Sequence, residues 1–207
     1  AATFRPPEAR SARTILIIDR SDAPVASAAI AQIGFSRRAD DYFAAAITIE
    51  MLTQACSAIA ATMPGVSVEV EHQPRQIPGP LIMKLKCNVA DLPRLLASVH
   101  SAVSRLQSET PGIELVESAK TRLITAVAER LKGSDGAAEV ILDIETYGLG
   151  RDYLITLAER VAALTPSDVQ RAAKRYLQPQ TAAVVIAGPA GSLETALKPF
   201  GTVTVSK

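Results

Sequence analysis

RDYLITLAERVAALTPSDVQRAAKRYLQPQTAAVVIAGPA, residues 151–190, is the stretch on which the fold reading turns. A helix is expected over 152–163. Thr165-Pro166-Ser167-Asp168 then starts a second one. The threonine caps, the proline fits the first helical position, and Asp168 stands where the acid of a capping box sits. Val169, Ala173 and Leu177 form one apolar stripe, and Lys174-Arg175 complements the negative pole at the helix end. TAAVVIA, 181–187, is an apolar strand bounded by a glycine. Beyond it a short helix is expected over 192–200 and a strand over 202–205.

The residues upstream alternate differently. TILIID, 14–19, is a β-branched run, and Asp22-Ala23-Pro24 turns the chain into VASAAIAQIGF, 25–35, a strand with a small-residue face. Phe43, Ile47 and Met51 place one apolar stripe on a helix over 42–62, with Asp40-Asp41 at its positive end. Pro64-Gly65 stops that helix. VSVEVE, 66–71, has period two, and LIMKLKC, 81–87, follows a loop over 74–80 that holds Pro74, Pro78 and Pro80. Leu92, Leu95, Leu96, Val99, Val103 and Leu106 mark the clearest helix, begun by Asp91. Pro111-Gly112 separates it from a helix over 113–131, with Val116, Leu123, Val127 and Leu131 on one face. After a break at 133–136, a further helix covers 137–147. The order is β-β-α-β-β, then five helices, then β-α-β. The economical solution is an α+β domain: one mainly antiparallel sheet of about six strands, with helices packed on one face.

Length and composition bound the function. The chain has 207 residues, which suits one domain over 14–207 behind a linker or tether at 1–13. In that tether Pro6-Pro7 sits among Arg5, Glu8, Arg10 and Arg13; a phosphate-binding arm is the sharper alternative. Lys and Arg total 22 against 21 Asp and Glu, a net charge of +1, and aromatics make up 4% with no Trp. Neither a basic face nor a base-stacking surface is available, so nucleic acid is not an expected partner. Membrane insertion is not expected either, because Thr53, Gln54, Ser57, Thr62 and Pro64 interrupt the uncharged run 51–68. No leader is visible at the N-terminus, and periplasmic and cytoplasmic locations both stay open.

Reactive chemistry is sparse. Cys56 and Cys87 form no C-x-x-C; the bland reading is a pair of buried small hydrophobes, with a disulfide or a reactive thiol as alternatives. The two histidines, His72 and His100, lie far apart in sequence without an acidic helix motif, so a metal site in this chain is not expected. No G-x-S-x-G elbow is present. Gly188-Pro189-Ala190-Gly191-Ser192 opens a helix as a phosphate-cradling loop does, yet lacks the Gly-Lys-Ser/Thr ending; a tight turn is the simpler reading. Arg37-Arg38 before Asp40-Asp41 reads as a solvated turn whose acids cap the next helix. Catalytic and metal residues are therefore none, no cofactor is expected, and no substrate-binding residue is identified.

Three stretches resemble the second domain of the pitrilysin, insulinase and mitochondrial processing peptidase family of zinc peptidases. ILIIDRSDAPVASAAIAQIGF, 15–35, is similar to its opening strand pair around an Asp-x-x-x-Ala-Pro turn. RRADDYFAAAITIEML, 37–52, resembles the Asp-Tyr helix that follows. Residues 151–190 resemble its T-x-x-D-V helix, Lys/Arg-Tyr-Leu-x-Pro end and apolar strand closing on Gly. Taken in order, they anchor a resemblance that extends over nearly all of 14–205.

The resemblance implies a peptidase unit of two similar α+β domains. The first bears an inverted H-x-x-E-H that holds zinc and activates water. That motif is absent here, so this chain resembles the second, metal-free domain, with zinc expected only on a homologous H-x-x-E-H-bearing domain or subunit. Its implied function is to form part of a peptide-enclosing chamber; the alternative is a purely structural or assembly module. In the family the second domain offers substrate an Arg and a Tyr. The corresponding segment here is LTQACSAIAATMPGVSV, 52–68, where Ala58 takes the place of the Arg and no Tyr follows Gly65-Val66-Ser67. No functional residue carries over. By position, segment 52–68 and the loop 74–80, with Arg75, are expected on the chamber side.

Overall fold

The computed structural model describes residues 11–206. The expected tether at 1–13 lies outside them except for its last three residues. The elements run β1 Thr14–Asp19, β2 Val25–Ile33, α1 Tyr42–Ala61, β3 Ser67–His72, β4 Pro80–Asn88, α2 Leu92–Ser108, α3 Ile113–Lys132, α4 Ser134–Tyr147, α5 Tyr153–Ala162, α6 Pro166–Tyr176, β5 Ala183–Gly188, α7 Ala190–Leu197 and β6 Thr202–Ser206.

The six strands form one sheet in the order β3-β4-β2-β5-β1-β6. The three pairings from β3 to β5 are antiparallel, and β1 pairs parallel with both β5 and β6. The sheet is thus mixed, antiparallel by three pairs to two. β1 and β2 do not pair with each other although one turn joins them: β5 lies between them. Alternation along each strand decides which face is buried. Ile15 and Ile17 of β1, Ala26, Ala28 and Ile30 of β2, Leu81, Met83, Leu85 and Cys87 of β4, and Val184 and Ile186 of β5 share one face by register and join one core. α2, α6, α7 and the second half of α1 cover it with Leu95, Val99, Leu177, Leu193, Leu197, Leu52 and Cys56.

The opposite face is uncovered. Thr204, Leu16, Val185, Ala29, Lys84 and Glu69 lie side by side across it. Leu16 is 36% exposed and Val185 38% exposed at the middle of the sheet, where a second layer would have hidden them. At the β3–β4 edge Lys84 pairs with Glu71 at 2.6 Å.

α1 departs from the expected single stripe. Its Phe43, Ile47 and Met51 pack in a second core with Val116 of α3 and Tyr153, Leu157 and Val161 of α5, while Leu52 and Cys56 face the sheet core. Ala44 and Ala45 meet Phe35 and Ala172 in a third cluster. Burial on several sides explains why α1 is apolar all round. It is also long and apolar enough to cross a membrane by length and composition, unlike the interrupted run 51–68. The break at 133–136 is narrower than its glycines suggest: α4 begins at Ser134, and a Cβ on Gly136 would come within 2.3 Å of the Arg130 carbonyl oxygen. Gly136 lets α4 fold back tightly on α3.

The helix start at Thr165 has the expected reciprocal geometry. The Thr165 hydroxyl accepts from the Asp168 N–H at 3.3 Å, and an Asp168 carboxylate oxygen accepts from the Thr165 N–H at 2.9 Å. The Thr165 hydroxyl also donates to that carboxylate at 2.7 Å; this bond first, then the one from the Thr165 N–H, holds the Asp168 carboxyl below its usual range. Thr165→Ala is expected to cost about 1 kcal/mol in urea unfolding. An unchanged midpoint would mean that water caps α6 equally well.

Candidate functional site

The histidines serve packing. His72 ends β3, its ring lies 3.9 Å from the ring of Phe35, and its Nε2 accepts the Phe35 N–H at 3.2 Å. Burial pushes its pKa down to about 4. His100 lies on α2, where its Nδ1 is 3.4 Å from a guanidinium nitrogen of Arg13. Burial, then the Arg13 charge, lowers its pKa. Arg13 also donates to the carbonyls of Pro179 and Phe200, at 2.7 and 3.2 Å. Among the described residues no group of three His, Cys, Asp or Glu side chains could hold a metal ion. The ligand set of a catalytic zinc does not fit these residues.

Cys56 and Cys87 are free and fully buried in the sheet core. Burial raises each thiol to about 11, with Asp91 adding to the effect at Cys87. Few thiolates form at neutral pH, which fits buried hydrophobes and argues against the reactive thiol, and the two sulfurs are not joined to each other.

The 188–192 turn already has its own anion. An Asp19 carboxylate oxygen accepts the Ala190 N–H at 2.9 Å, at the start of α7. A Cβ on Gly188 would meet Leu193 at 2.9 Å, so the glycine serves close strand–helix packing. This is the tight turn.

Segment 52–68 is the second half of α1, a turn and the start of β3. Gly65 takes a positive φ of 74° in that turn. Ala58 is exposed and lines an open groove of about 430 Å³ with Met51, Ala102, Leu106 and Leu115. The loop 74–80 seats on the β2–α1 connection: Gly34 N–H donates to the Gly79 carbonyl at 2.8 Å, and Arg37 N–H to the Arg75 carbonyl at 2.7 Å. The Arg75 side chain is exposed and meets Gln73 at 3.2 Å.

The Arg37–Asp41 stretch corrects its sequence reading. Asp41 makes no side-chain cap bond to α1. Its carboxylate instead accepts from the Tyr176 hydroxyl at 2.5 Å and pairs with Arg175 at 3.1 Å. Burial, then the Asp41 bond, pushes Tyr176 up to about 12. Arg37 is not solvated either. Its guanidinium lies 4.2 Å from the Tyr42 ring centre and 5.0 Å from that of Tyr153, and donates to the Tyr153 hydroxyl at 2.6 Å. Its Nη1 is buried with no hydrogen-bond partner. Two cavities flank it, of about 240 and 340 Å³. Sequence reasoning missed this residue because its aromatic walls come from α5 and from its own helix start; a pair of arginines next to a Tyr-Phe step was the one local signal.

No protein-family profile matches the sequence, and no curated protein matches it. Solved structures do. A peptidase M16 inactive domain from Pseudomonas fluorescens is 22% identical, over 91% of this chain and 46% of that one, with a TM-score of 0.78. A protease from Helicobacter pylori is 12% identical, over 91% and 47%, with a TM-score of 0.73. A chain of complex III from Candida albicans is 16% identical, over 93% and 50%, also at 0.73. The chain spans about half the length of each. At these identities the likeness speaks for architecture, and the architecture agrees strand by strand with the one expected from sequence. The chain has the fold of the peptidase M16 inactive domain.

Proposed function

We propose that this chain is a non-catalytic domain of a zinc-metallopeptidase-like protein, forming part of the wall of a peptide-enclosing chamber. The H-x-x-E-H motif and its zinc belong to a homologous domain or subunit, and the enclosed substrate is a peptide. The observation that carries the reading is the one-sided sheet in an M16-inactive-domain fold. Its bare face has an apolar centre at Leu16 and Val185, the surface of a wall that faces a second body or an enclosed chain. Enclosure and positioning raise a rate without a reacting group. Ala58 lies in the α1–α2–α3 groove on the helix side, away from this face, so contact with substrate comes from shape and backbone groups, with a small contribution from Arg75.

Adding this chain to an H-x-x-E-H-bearing partner is expected to raise cleavage of a quenched fluorescent peptide. Arg75→Ala should change that activity only a few-fold, because one exposed charge is worth about 1 kcal/mol or less. A loss of roughly a hundredfold, about 2.7 kcal/mol, would make Arg75 a substrate clamp. Absence of activation by any such partner would sink the chamber reading in favour of the second one, a structural or assembly module. The similarity to a chain of complex III and the missing Arg–Tyr pair favour that alternative.

A further inference from the structure

The two cavities beside Arg37 belong to no step of the chamber reading. The first lies between the β2–α1 connection, the end of α4 and α5, and Arg37, Arg38 and Arg160 all line it. Asp40 is the one carboxylate on its wall, and among the described residues none of the three arginines has a carboxylate within ion-pair distance. The rest of the wall is aromatic or apolar: Tyr42, Phe43, Tyr147, Leu149 and Tyr153. Arg160 is exposed at the rim, with its guanidinium carbon 4.8 Å from the Phe43 ring centre. The second cavity shares Arg37, adds Leu123 and Val127, and carries a carboxylate of its own, Asp143. Its Arg130 is already paired with Glu139 at 3.1 Å, so the first cavity is the one open to an added anion.

A structural arginine at this depth normally has its donors spent on carboxylates or carbonyls. Arg37 keeps one donor nitrogen shut away from solvent and unbonded between two hollows, next to two further unpaired guanidinium groups. The planar fork of a guanidinium matches a carboxylate in bidentate geometry. The aromatic walls match an apolar body attached to that carboxylate.

We propose that this cavity binds a carboxylate borne on an aromatic or apolar group, with Arg37 as the principal contact and Arg160 as the second. The carboxylate is either that of a free aromatic acid or the C-terminal end of a peptide. The proposal stands independently of the chamber reading, since it needs neither a partner nor peptide cleavage.

Amide NMR titration of the 207-residue chain tests it. N-acetyl-phenylalanine stands for a peptide C-terminus, benzoate for a free acid, N-acetyl-phenylalanine amide for the neutral control and inorganic phosphate for a bare anion. The acid should saturate below about 10 mM and shift resonances of residues 37–43 and 147–153. The amide should bind about tenfold or more weakly, because it cannot accept a charged fork. Arg37→Met should weaken the acid by about tenfold or more and Arg160→Met by a few-fold, with Arg75→Ala without effect. Arg160 is exposed, so its variant reports on the site even where Arg37→Met fails to fold. Benzoate as tight as N-acetyl-phenylalanine assigns the site to free acids, and a clear preference for the latter assigns it to peptide ends. Equal binding of acid and amide, retention of binding in both arginine variants, tighter binding of phosphate than of either acid, or no shifts up to about 20 mM would each overturn the proposal.

Discussion

Gly79→Ala is expected to be among the most damaging single-methyl changes in this chain. A Cβ there would sit 1.8 Å from the Gln73 carbonyl oxygen and 2.9 Å from its carbonyl carbon. Both are backbone atoms, and Gln73 is held in place because its N–H donates to the Pro80 carbonyl at 3.2 Å. No side-chain rotation relieves such an overlap; the loop between β3 and β4 has to move. The move breaks the bond from Gly34 N–H to Gly79 and disturbs the Arg75 carbonyl that holds Arg37 N–H. Forced overpacking costs about 1–3 kcal/mol and sometimes more, and lost loop bonds add to it, so a loss of about 3 kcal/mol or more is expected in urea unfolding. Gly191→Ala is the contrast: nothing lies within 4 Å of its added Cβ, in the first turn of α7. It should stabilise by about 0.5 kcal/mol, through helix propensity. A Gly79→Ala protein within about 1 kcal/mol of the parent would show that the loop yields cheaply and does not hold the Arg37 connection.

The second expectation concerns acid. His72 is neutral in the fold, because its Nε2 must accept the Phe35 N–H and its ring is partly buried. Its folded pKa of about 4 lies below the ordinary value of 6.5. Above 6.5 neither state carries the proton and the stability contribution is complete. As pH falls from 6.5 towards 4 the unfolded chain takes up a proton that the native state refuses, so stability drops through that window. Between pH 7.5 and 5 the loss should be about 1.5 kcal/mol, once partial exposure of the ring is allowed for. Carboxylates remain largely ionised there, so acid effects at Asp168 and Glu71 belong to a lower range. His100, also lowered, pulls the same way. His72→Gln keeps an acceptor without a titrating group and should flatten the curve over that interval. A parent protein whose unfolding free energy is constant from pH 7.5 to 5 would rule the mechanism out.

Strands with strict alternation were readable from the chain because their period is a local property. VSVEVE and LIMKLKC put one face on the core and one in water, and the structure pairs them antiparallel within a residue or two of the expected ends. The Thr165 box was readable for the same reason, since its two partners are three residues apart. What stayed hidden depends on distant neighbours. Nothing within TAAVVIA states that it will separate two strands joined by a short turn. Nothing in Arg37-Arg38 states that Tyr153, more than a hundred positions later, will cover a charge that looks solvated. α1 shows the intermediate case. Its Phe43, Ile47 and Met51 stripe was visible, but the further faces turned towards the sheet and towards α6 were masked by alanines, which any environment accepts.

The position of β5 has a bearing on how the protein is made. Both hydrogen-bonding neighbours of β1 are the last two strands of the chain, β5 and β6. On a ribosome, β3, β4 and β2 can pair while the helices are still being synthesised. β1 emerges first and then waits for residues 183–206. At roughly 5–20 residues per second the wait is on the order of ten seconds. Through that interval TILIID presents two open edges and an apolar face, the features that recruit other nascent strands. Shielding β1 during translation is therefore expected to raise the yield of folded chain, a demand that the finished fold, with β1 flanked on both sides, no longer reveals.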